Sequence, residues 1–170
     1  MTRSHNERIH GRKLSLHDPE LIWGWGTSAG KVRAGRRAGL IAEGALLGPG
    51  VRALEIGCGT GLFTEFFARS GASITAVDIS PDLLEEARKK GLPGDRVQFI
   101  EKPFEECEVD GPFDAVIGSS ILHHLDLEAS LPRIFDLLKP GGRVSFAEPN
   151  MLNPQILLQK NIPWLKERLG

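Results

Sequence analysis

The sequence predicts an α/β fold, a doubly wound and mostly parallel sheet of about five strands, from two observations. First, an apolar stretch that begins at Val51 runs directly into a turn with glycines at positions 57, 59 and 61. Second, four further short apolar stretches follow, and segments with helically spaced apolar residues separate most of them. Strands that alternate with helices form parallel sheets covered on both faces. One domain is expected for 170 residues of this pattern.

The glycine turn marks the expected ligand end of this sheet. Glu55 interrupts the first strand just before the turn, and a helix with Phe63 and Phe67 on one face follows it. Glycine has no Cβ, so a ligand can approach the backbone closely, and the start of the helix offers unpaired N–H groups. Ligands of wound α/β sheets bind beyond the carboxyl ends of the strands, where this turn lies.

Asp78 ends the second strand and indicates a ribose-containing ligand. A carboxylate in this place can accept charge-assisted hydrogen bonds from both ribose hydroxyls. Nicotinamide-binding turns also use such an acid, but their pattern is G-x-G-x-x-G. Here Leu62 occupies the position of the third glycine, and Glu55 fits a nicotinamide site poorly. The spacing therefore favours another nucleotide cofactor.

Five segments together resemble the class I S-adenosylmethionine-dependent methyltransferases. They are 54–61 (LEIGCGTG), 76–79 (AVDI), 113–117 (FDAVI), 121–125 (ILHHL) and 137–144 (LLKPGGRV). The resemblance implies a Rossmann-like fold, S-adenosylmethionine as cofactor with S-adenosylhomocysteine as product, and methyl transfer to a small-molecule acceptor. It also implies a set of cofactor-binding residues: Glu55, Gly57, Cys58, Gly59, Gly61, Asp78, Ile79, Phe104, Ser119 and Arg33.

The resemblance gives some of these residues particular roles. Ile79 or Phe104 would cover the adenine, although either is equally suited to the core. The segment before the first strand would form a lid over the cofactor, with Trp23 or Trp25 near the sulfonium. Arg33 would pair with the methionine carboxylate. The alternative is that the tryptophans are packing anchors and the arginines form a solvated surface.

His123 and His124 are the candidates for catalysis. A histidine titrates near neutrality and can take a proton from an acceptor hydroxyl or amine. The alternative, which we favour, is a structural histidine that holds the loop after the fourth strand. Methyl transfer needs mainly alignment and exclusion of water, so a general base is not obligatory. The histidines and cysteines have no metal-ligand spacing, and no metal is expected.

The chain divides into four expected parts. Residues 1–19 are polar and expected to be flexible, 20–47 form the lid and a helix, 51–149 form the cofactor-binding core, and 150–170 form a helical tail. Similar methyltransferases add two strands after the fifth, and no strand-like pattern follows Ala147, so we expect a shortened form. The edge of strand five would then associate with a second copy or be covered by residues 153–170.

Composition narrows the partners and the location. The formal net charge is −1, which gives no overall attraction to nucleic acid or to a membrane surface. The chain contains no tyrosine, and hence no Asn-Pro-Pro-Tyr signature of enzymes that methylate nucleic-acid amino groups. No apolar run of membrane-spanning length occurs, and two cysteines suggest no disulfide framework. We therefore expect a cytoplasmic methyltransferase; the alternative is a cofactor-binding module that is catalytically incomplete or regulatory.

Overall fold

The computed structural model describes residues 3–150, 152–154, 161 and 162. Within these residues, five strands form one sheet in the order β3-β2-β1-β4-β5, and every neighbouring pair is parallel. This confirms the predicted α/β class and strand number. The strands are β1 (Arg52–Ile56), β2 (Ser73–Asp78), β3 (Val97–Glu101), β4 (Phe113–Ser119) and β5 (Leu138–Ala147).

Helices cover both faces of the sheet. They are α1 (Arg3–Ser15), α2 (Pro19–Ile22), α3 (Ser28–Gly44), α4 (Leu62–Ala68), α5 (Pro81–Lys89) and α6 (Leu127–Leu137), with short 3₁₀ turns at Phe104–Glu106 and Leu122–His124. One core cluster joins the sheet to Ile41 of α3, Phe67 of α4 and Leu84 of α5. The other joins the opposite face to Ile134 of α6. Of the described helices, none has the length and apolar character that a bilayer crossing requires.

The ends of the helices follow from local sequence. Ser80 caps α5 by accepting a hydrogen bond from Leu83 N at 3.3 Å, and Pro81 occupies the first helical position, as the sequence predicts. Thr27 caps α3 in the same way through Gly30 N at 2.9 Å. A Cβ at Gly30 would lie 2.8 Å from the carbonyl oxygen of Trp25. Only glycine therefore lets the loop before α3 fold back onto the helix.

The N-terminal segment differs from the expectation that residues 1–19 are flexible. Residues from Arg3 to Ser15 form helix α1, and Leu14 is buried. Gly11 contacts the Ser80 side chain at the start of α5 so closely that a Cβ would overlap it. The polar sequence of α1 has no apolar stripe, which is why its pattern predicts no helix. The close approach at Gly11, the buried Leu14 and a hydrogen bond between Glu7 and His124 hold it instead.

Two boundaries near the end of the core also differ. Strand β5 begins at Leu138, which pairs with Phe113, although the Pro-Gly-Gly sequence before Arg143 predicts a turn there. The register shifts between Phe113 and Ala115, so an irregularity in the ladder accommodates these residues. Pro132 lies inside α6 on its exposed side, where water can satisfy the carbonyl that proline leaves free. Asp126, rather than Ser130, caps this helix.

The outer side of β5 has no strand neighbour among the described residues. Val144 on this strand is 54% exposed. Most of the predicted helical tail, 150–170, and its predicted covering of the edge lie outside the described residues. Association through this edge therefore stays a prediction.

The core should be held most strongly by its fully buried aromatic residues. Phe67 has no exposed surface and packs between α4 and the sheet, whereas Phe135 on α6 is 79% exposed. We expect Phe67→Ala to lower the free energy of unfolding by about 3–5 kcal/mol, because it removes buried apolar surface and leaves a cavity. Phe135→Ala should change it by less than about 0.5 kcal/mol. Urea unfolding monitored by circular dichroism measures both, and equal losses would contradict this core assignment.

The β5 edge should promote self-association. The N–H and C=O groups on this edge pair with no described strand and can pair with a second copy, and a charge on an edge strand opposes such pairing. We expect sedimentation velocity to show concentration-dependent dimers of the chain, and Val144→Lys to abolish them. The control is Val32→Lys, which places the same charge at a 73% exposed position on α3. A parent chain that stays monomeric at every concentration would rule out this mode of association.

Candidate functional site

The glycine turn after β1 is built from backbone conformations that favour glycine. Gly57, Gly59 and Gly61 have φ angles of +70°, +52° and +73°. The N–H groups of Gly57 and Cys58 both donate to the carbonyl of Val77 on β2, at 2.8 and 3.2 Å. Helix α4 begins directly after Gly61. The turn is thus fixed to the carboxyl end of β2, at the edge predicted to bind the ligand.

Asp78 lies beside this turn and is hydrogen-bonded to it. Its Oδ2 accepts a hydrogen bond from Gly59 N at 2.7 Å, and its Oδ1 accepts one from Ser80 N at 2.9 Å. Burial raises the pKa of Asp78, and the N–H donors of Ser80, Gly59 and Ile79 oppose that shift. Each carboxylate oxygen can accept a further bond. The acid therefore holds the turn and still has capacity for a ligand.

Two neighbouring predicted residues, Glu55 and Cys58, are buried beneath the turn. Glu55 is 1% exposed, and its Oε2 accepts no hydrogen bond of normal geometry from a described residue. Burial raises the pKa of Glu55 to about 8, the nearby Thr64 hydroxyl opposes that rise, and the charge of Asp78 adds to it. Burial also raises the pKa of the Cys58 thiol. Glu55 therefore carries a proton at neutral pH, and Cys58 is no thiolate nucleophile.

The predicted lid segment lies over the glycine turn. The Trp23 ring is 3.5 Å from where a Cβ on Gly59 would stand. Trp25 packs edge-on against Phe63 of α4, with ring centroids 5.7 Å apart. Trp23 therefore lies at the turn and Trp25 lies against the helix that follows it, and these contacts fit both a packing role and a lid.

Arg37, and not Arg33, reaches the ends of the central strands. Arg33 is exposed and donates to the carbonyl of Gly24 at 3.0 Å, within its own loop. Arg37, one helical turn later, donates to the hydroxyls of Ser119 and Ser120 at 3.2 and 2.6 Å. Burial lowers the pKa of Arg37, and an arginine nonetheless stays charged. The assignment of the carboxylate contact to Arg33 therefore does not fit the structure, because its side chain faces its own loop.

Sequence reasoning missed Arg37 because its partners are 82 and 83 positions away in the chain. The available signal was the helical periodicity of α3. Arg33 and Arg37 lie one turn apart on the same helix, and only the half-buried one reaches the strand ends. Ser119 itself lies at the end of β4, where the sequence predicted it.

Ile79 and Phe104, the two candidates for covering the adenine, lie in different environments. Ile79 follows Asp78 and is half-buried at the same edge of the sheet. Phe104 is 4% exposed and packs in the second core cluster, with the Arg133 guanidinium over its ring at 5.7 Å. The structure therefore places Phe104 in the core, the alternative that the sequence left open, and it leaves no free ring face for an adenine.

The loop after β4 carries the two predicted histidines, each with a carboxylate partner. Nδ1 of His123 lies 2.9 Å from Oε2 of Glu148, which follows β5. Nδ1 of His124 lies 3.2 Å from Oε1 of Glu7 on α1. The two imidazole centroids are 4.2 Å apart. The sequence places Glu148 at the ligand end of β5, but neither pairing follows from a local pattern, because each histidine and its carboxylate come from distant segments. Within the described part of the chain, no group of three or more metal-ligating side chains occurs.

Comparison with known proteins identifies the family. A family described as "Methyltransferase domain" matches residues 53–142, more than half of the chain, and the chain belongs to this family. A ubiquinone biosynthesis O-methyltransferase from Xylella fastidiosa is 41% identical over 99 residues, which are 56% of this chain and 40% of that protein. One from Xanthomonas oryzae is 40% identical over 107 residues, 59% of this chain and 44% of that protein. The matched part of the chain thus spans less than half the length of these curated relatives.

Solved structures agree with this fold. The [4+2]-cyclase SpnF superimposes with a TM-score of 0.70 and 27% identity, covering 84% of this chain and 60% of that chain. DhpI in complex with S-adenosylhomocysteine gives a TM-score of 0.67 and 25% identity, covering 84% of this chain and 67% of that chain. The resemblance seen in the sequence to class I S-adenosylmethionine-dependent methyltransferases is therefore confirmed.

The buried, proton-bearing Glu55 should make stability depend on pH. Its pKa is about 8 in the folded chain and 4.5 in a solvated reference. A raised carboxyl pKa stabilises the folded state at low pH, and this contribution is lost as the pH rises toward the folded pKa. We expect the free energy of unfolding of the parent to fall by roughly 3–4 kcal/mol more than that of Glu55→Gln between pH 5 and pH 8.

Urea unfolding at several pH values measures this difference. The glutamine variant keeps the shape of the side chain and removes the titration, so the two pH profiles should diverge mainly above pH 5. Identical profiles would show that Glu55 is already ionised when folded.

Proposed function

We propose that this chain binds S-adenosylmethionine at the carboxyl ends of β1, β2 and β4 and transfers its methyl group to a small-molecule hydroxyl. The observation that supports this most strongly is Asp78. Its carboxylate ends β2, is held by Gly59 N and Ser80 N, and retains acceptor capacity for ribose hydroxyls. The family membership of residues 53–142 agrees with the proposal.

The residues present fit the cofactor along its length. Gly59 lacks the Cβ that would occupy the space below Trp23, so backbone is available to a ligand in the turn. Asp78 would hold the ribose, and Ile79 lies beside it to cover the adenine. Arg37 would pair with the methionine carboxylate, because it is the half-buried cation at the ends of β4 and β5.

The bound cofactor supplies an electrophilic methyl group on a sulfonium, whose carbon–sulfur bond breaks with the electron pair remaining on sulfur. The protein's own contribution is to align the acceptor and to exclude water. Trp23 lies over the glycine turn, Trp25 packs on the helix that follows it, and helix α1 contacts both the start of α5 and the His124 loop. These contacts support the lid interpretation of the N-terminal segment.

A hydroxyl acceptor is proposed from the relatives. Two proteins that are about 40% identical to the matched segment are ubiquinone biosynthesis O-methyltransferases. The net charge of −1 gives no general attraction to nucleic acid or membranes, which supports a small molecule. Cys58 and Cys107 are both free, which is consistent with a cytoplasmic location.

Binding and turnover are separate questions, because the fold also occurs in a protein named as a [4+2]-cyclase. A chain that binds S-adenosylhomocysteine and methylates no acceptor would be a binding module. Methyl transfer from radiolabelled S-adenosylmethionine to a hydroxyl-containing small molecule would establish the enzyme.

The cofactor assignment predicts the effect of removing Asp78. We expect Asp78→Ala to weaken S-adenosylhomocysteine binding by about 2–4 kcal/mol, roughly 30-fold to 1,000-fold, because two charge-assisted hydrogen bonds are lost. Asp78→Asn should be milder, since its amide oxygen still accepts. Isothermal titration calorimetry on the full chain measures the affinities.

Asp95→Ala is the matched control. The Asp95 side chain is 78% exposed and lies just before β3, at the opposite end of the sheet from the site. It should bind S-adenosylhomocysteine as the parent does. If the parent is folded and gives no saturable heat, the cofactor assignment is wrong, and unchanged affinity in Asp78→Ala would remove this residue from the ribose site.

A further inference from the structure

One carboxylate, Glu148, organises the loop that follows β4. Its Oε1 accepts hydrogen bonds from the backbone N–H groups of Ile121 and Leu122, at 2.8 and 3.0 Å. Its Oε2 lies 2.9 Å from Nδ1 of His123. Both oxygens of the carboxylate are therefore directed at three consecutive residues of one loop.

We propose that Glu148 positions His123 to take the proton of a neutral hydroxyl acceptor, and that Glu148 is thus a positioning residue for methyl transfer. This inference rests on the proposed function. It narrows the acceptor class to alcohols and phenols that are protonated at neutral pH, because an acceptor that is already ionised needs no such pair.

The hydrogen bonds determine which nitrogen of His123 is free. An ionised carboxylate can only accept, so Nδ1 of His123 must donate to Oε2 of Glu148. The neutral imidazole then carries its proton on Nδ1 and presents Nε2 as a base. Nε2 makes no hydrogen bond to any described residue, and the side chain is 42% exposed. The imidazole is thereby oriented and left open at the atom that accepts a proton.

The surroundings place this pair at the methyl-transfer end of the site. Ile121, two residues before His123, contacts the position where Gly57 would carry a Cβ. Ser120 in the same loop accepts a hydrogen bond from Arg37 at 2.6 Å. The loop therefore borders both the glycine turn and the cation assigned to the methionine carboxylate.

Charged and hydrogen-bonding groups surround the carboxylate of the pair. The positive charge of Arg37 and the two backbone N–H groups stabilise the negative charge on Glu148. Glu148 in turn stabilises the imidazolium formed when His123 takes a proton. The neighbouring His124 faces Glu7 of α1 at 3.2 Å and so has its own carboxylate partner.

The proton step balances with methyl transfer. The acceptor oxygen forms a bond to the methyl carbon while the carbon–sulfur bond breaks, and the O–H proton passes to Nε2 of His123. The products are the methyl ether, a neutral thioether and an imidazolium that returns its proton to water. No oxidant, reductant or metal is required.

A purely structural role for Glu148, tying the loop to β5, can be separated from this by Glu148→Gln. The amide oxygen can still accept from Ile121 N and Leu122 N, so the loop keeps both bonds. The amide nitrogen then faces Nδ1 of His123 and can only donate, which forces the imidazole proton onto Nε2. The variant thus keeps both hydrogen bonds to the loop and moves the imidazole proton of His123 from Nδ1 to Nε2.

The test is proton and nitrogen NMR of the histidine side chains in the full chain, with and without S-adenosylhomocysteine, where the imidazole is neutral. His123→Gln identifies the signal. We expect the proton on Nδ1 in the parent and on Nε2 in Glu148→Gln. Glu7→Gln, which removes the carboxylate from the neighbouring His124, should leave His123 unchanged. A parent with the proton on Nε2, or a tautomer that Glu148→Gln does not move, overturns the proposal.

Turnover gives a second readout with two probes, catechol, which is neutral at pH 7, and 4-nitrocatechol, which is largely ionised there. His123→Gln should slow methylation of catechol by about a hundredfold or more and of 4-nitrocatechol by less than about tenfold. Equal losses on both probes overturn the role as proton acceptor. Calorimetry with S-adenosylhomocysteine tests the proposed function separately. Absence of binding would contradict the proposed function and would leave the measured tautomer of His123 unchanged.

Discussion

The hydrogen bond from Gly59 N to the Asp78 carboxylate is the contact on which the candidate site depends. It joins the turn after β1 to the end of β2 at 2.7 Å, and Ser80 N holds the other carboxylate oxygen. The glycines of the turn adopt positive φ angles without steric cost but lose much conformational freedom on folding, so a contact from outside the turn helps to fix them. One acidic side chain therefore fixes both the turn and the start of α5, which Ser80 caps.

A second set of hydrogen bonds holds the loop that follows β4. Arg37 on α3 binds the serine hydroxyls that end β4, and Glu148 after β5 binds the backbone of the same loop. Asp78 thus links the ends of β1 and β2, and Arg37 and Glu148, which carry opposite charges, link the ends of β4 and β5. Such groups are costly to bury unless they are paired, which favours a single arrangement of these loops.

The sequence predicts well the features that neighbouring residues determine. The glycine turn, Asp78 at the end of β2 and the Ser80-Pro81 start of α5 depend on residues within a few positions, and all were correctly placed. Arg37 and Glu148 depend on partners 82 and 27 positions away, and helix α1 depends on a close contact at Gly11. No local pattern encodes these contacts, because they form only when the whole sheet brings the strand ends together.

The same distinction separates the cofactor from the acceptor. Cofactor residues lie on the turns of a sheet whose geometry is common to the family, so the family match over residues 53–142 agrees with their placement. The proton-accepting pair instead joins a loop after β4 to the residue that follows β5, and such loops vary without disturbing the sheet. A fold that also occurs in a [4+2]-cyclase does not determine its chemistry. The reaction must therefore be argued from the loop side chains, where a single carboxylate decides which nitrogen of His123 can accept a proton.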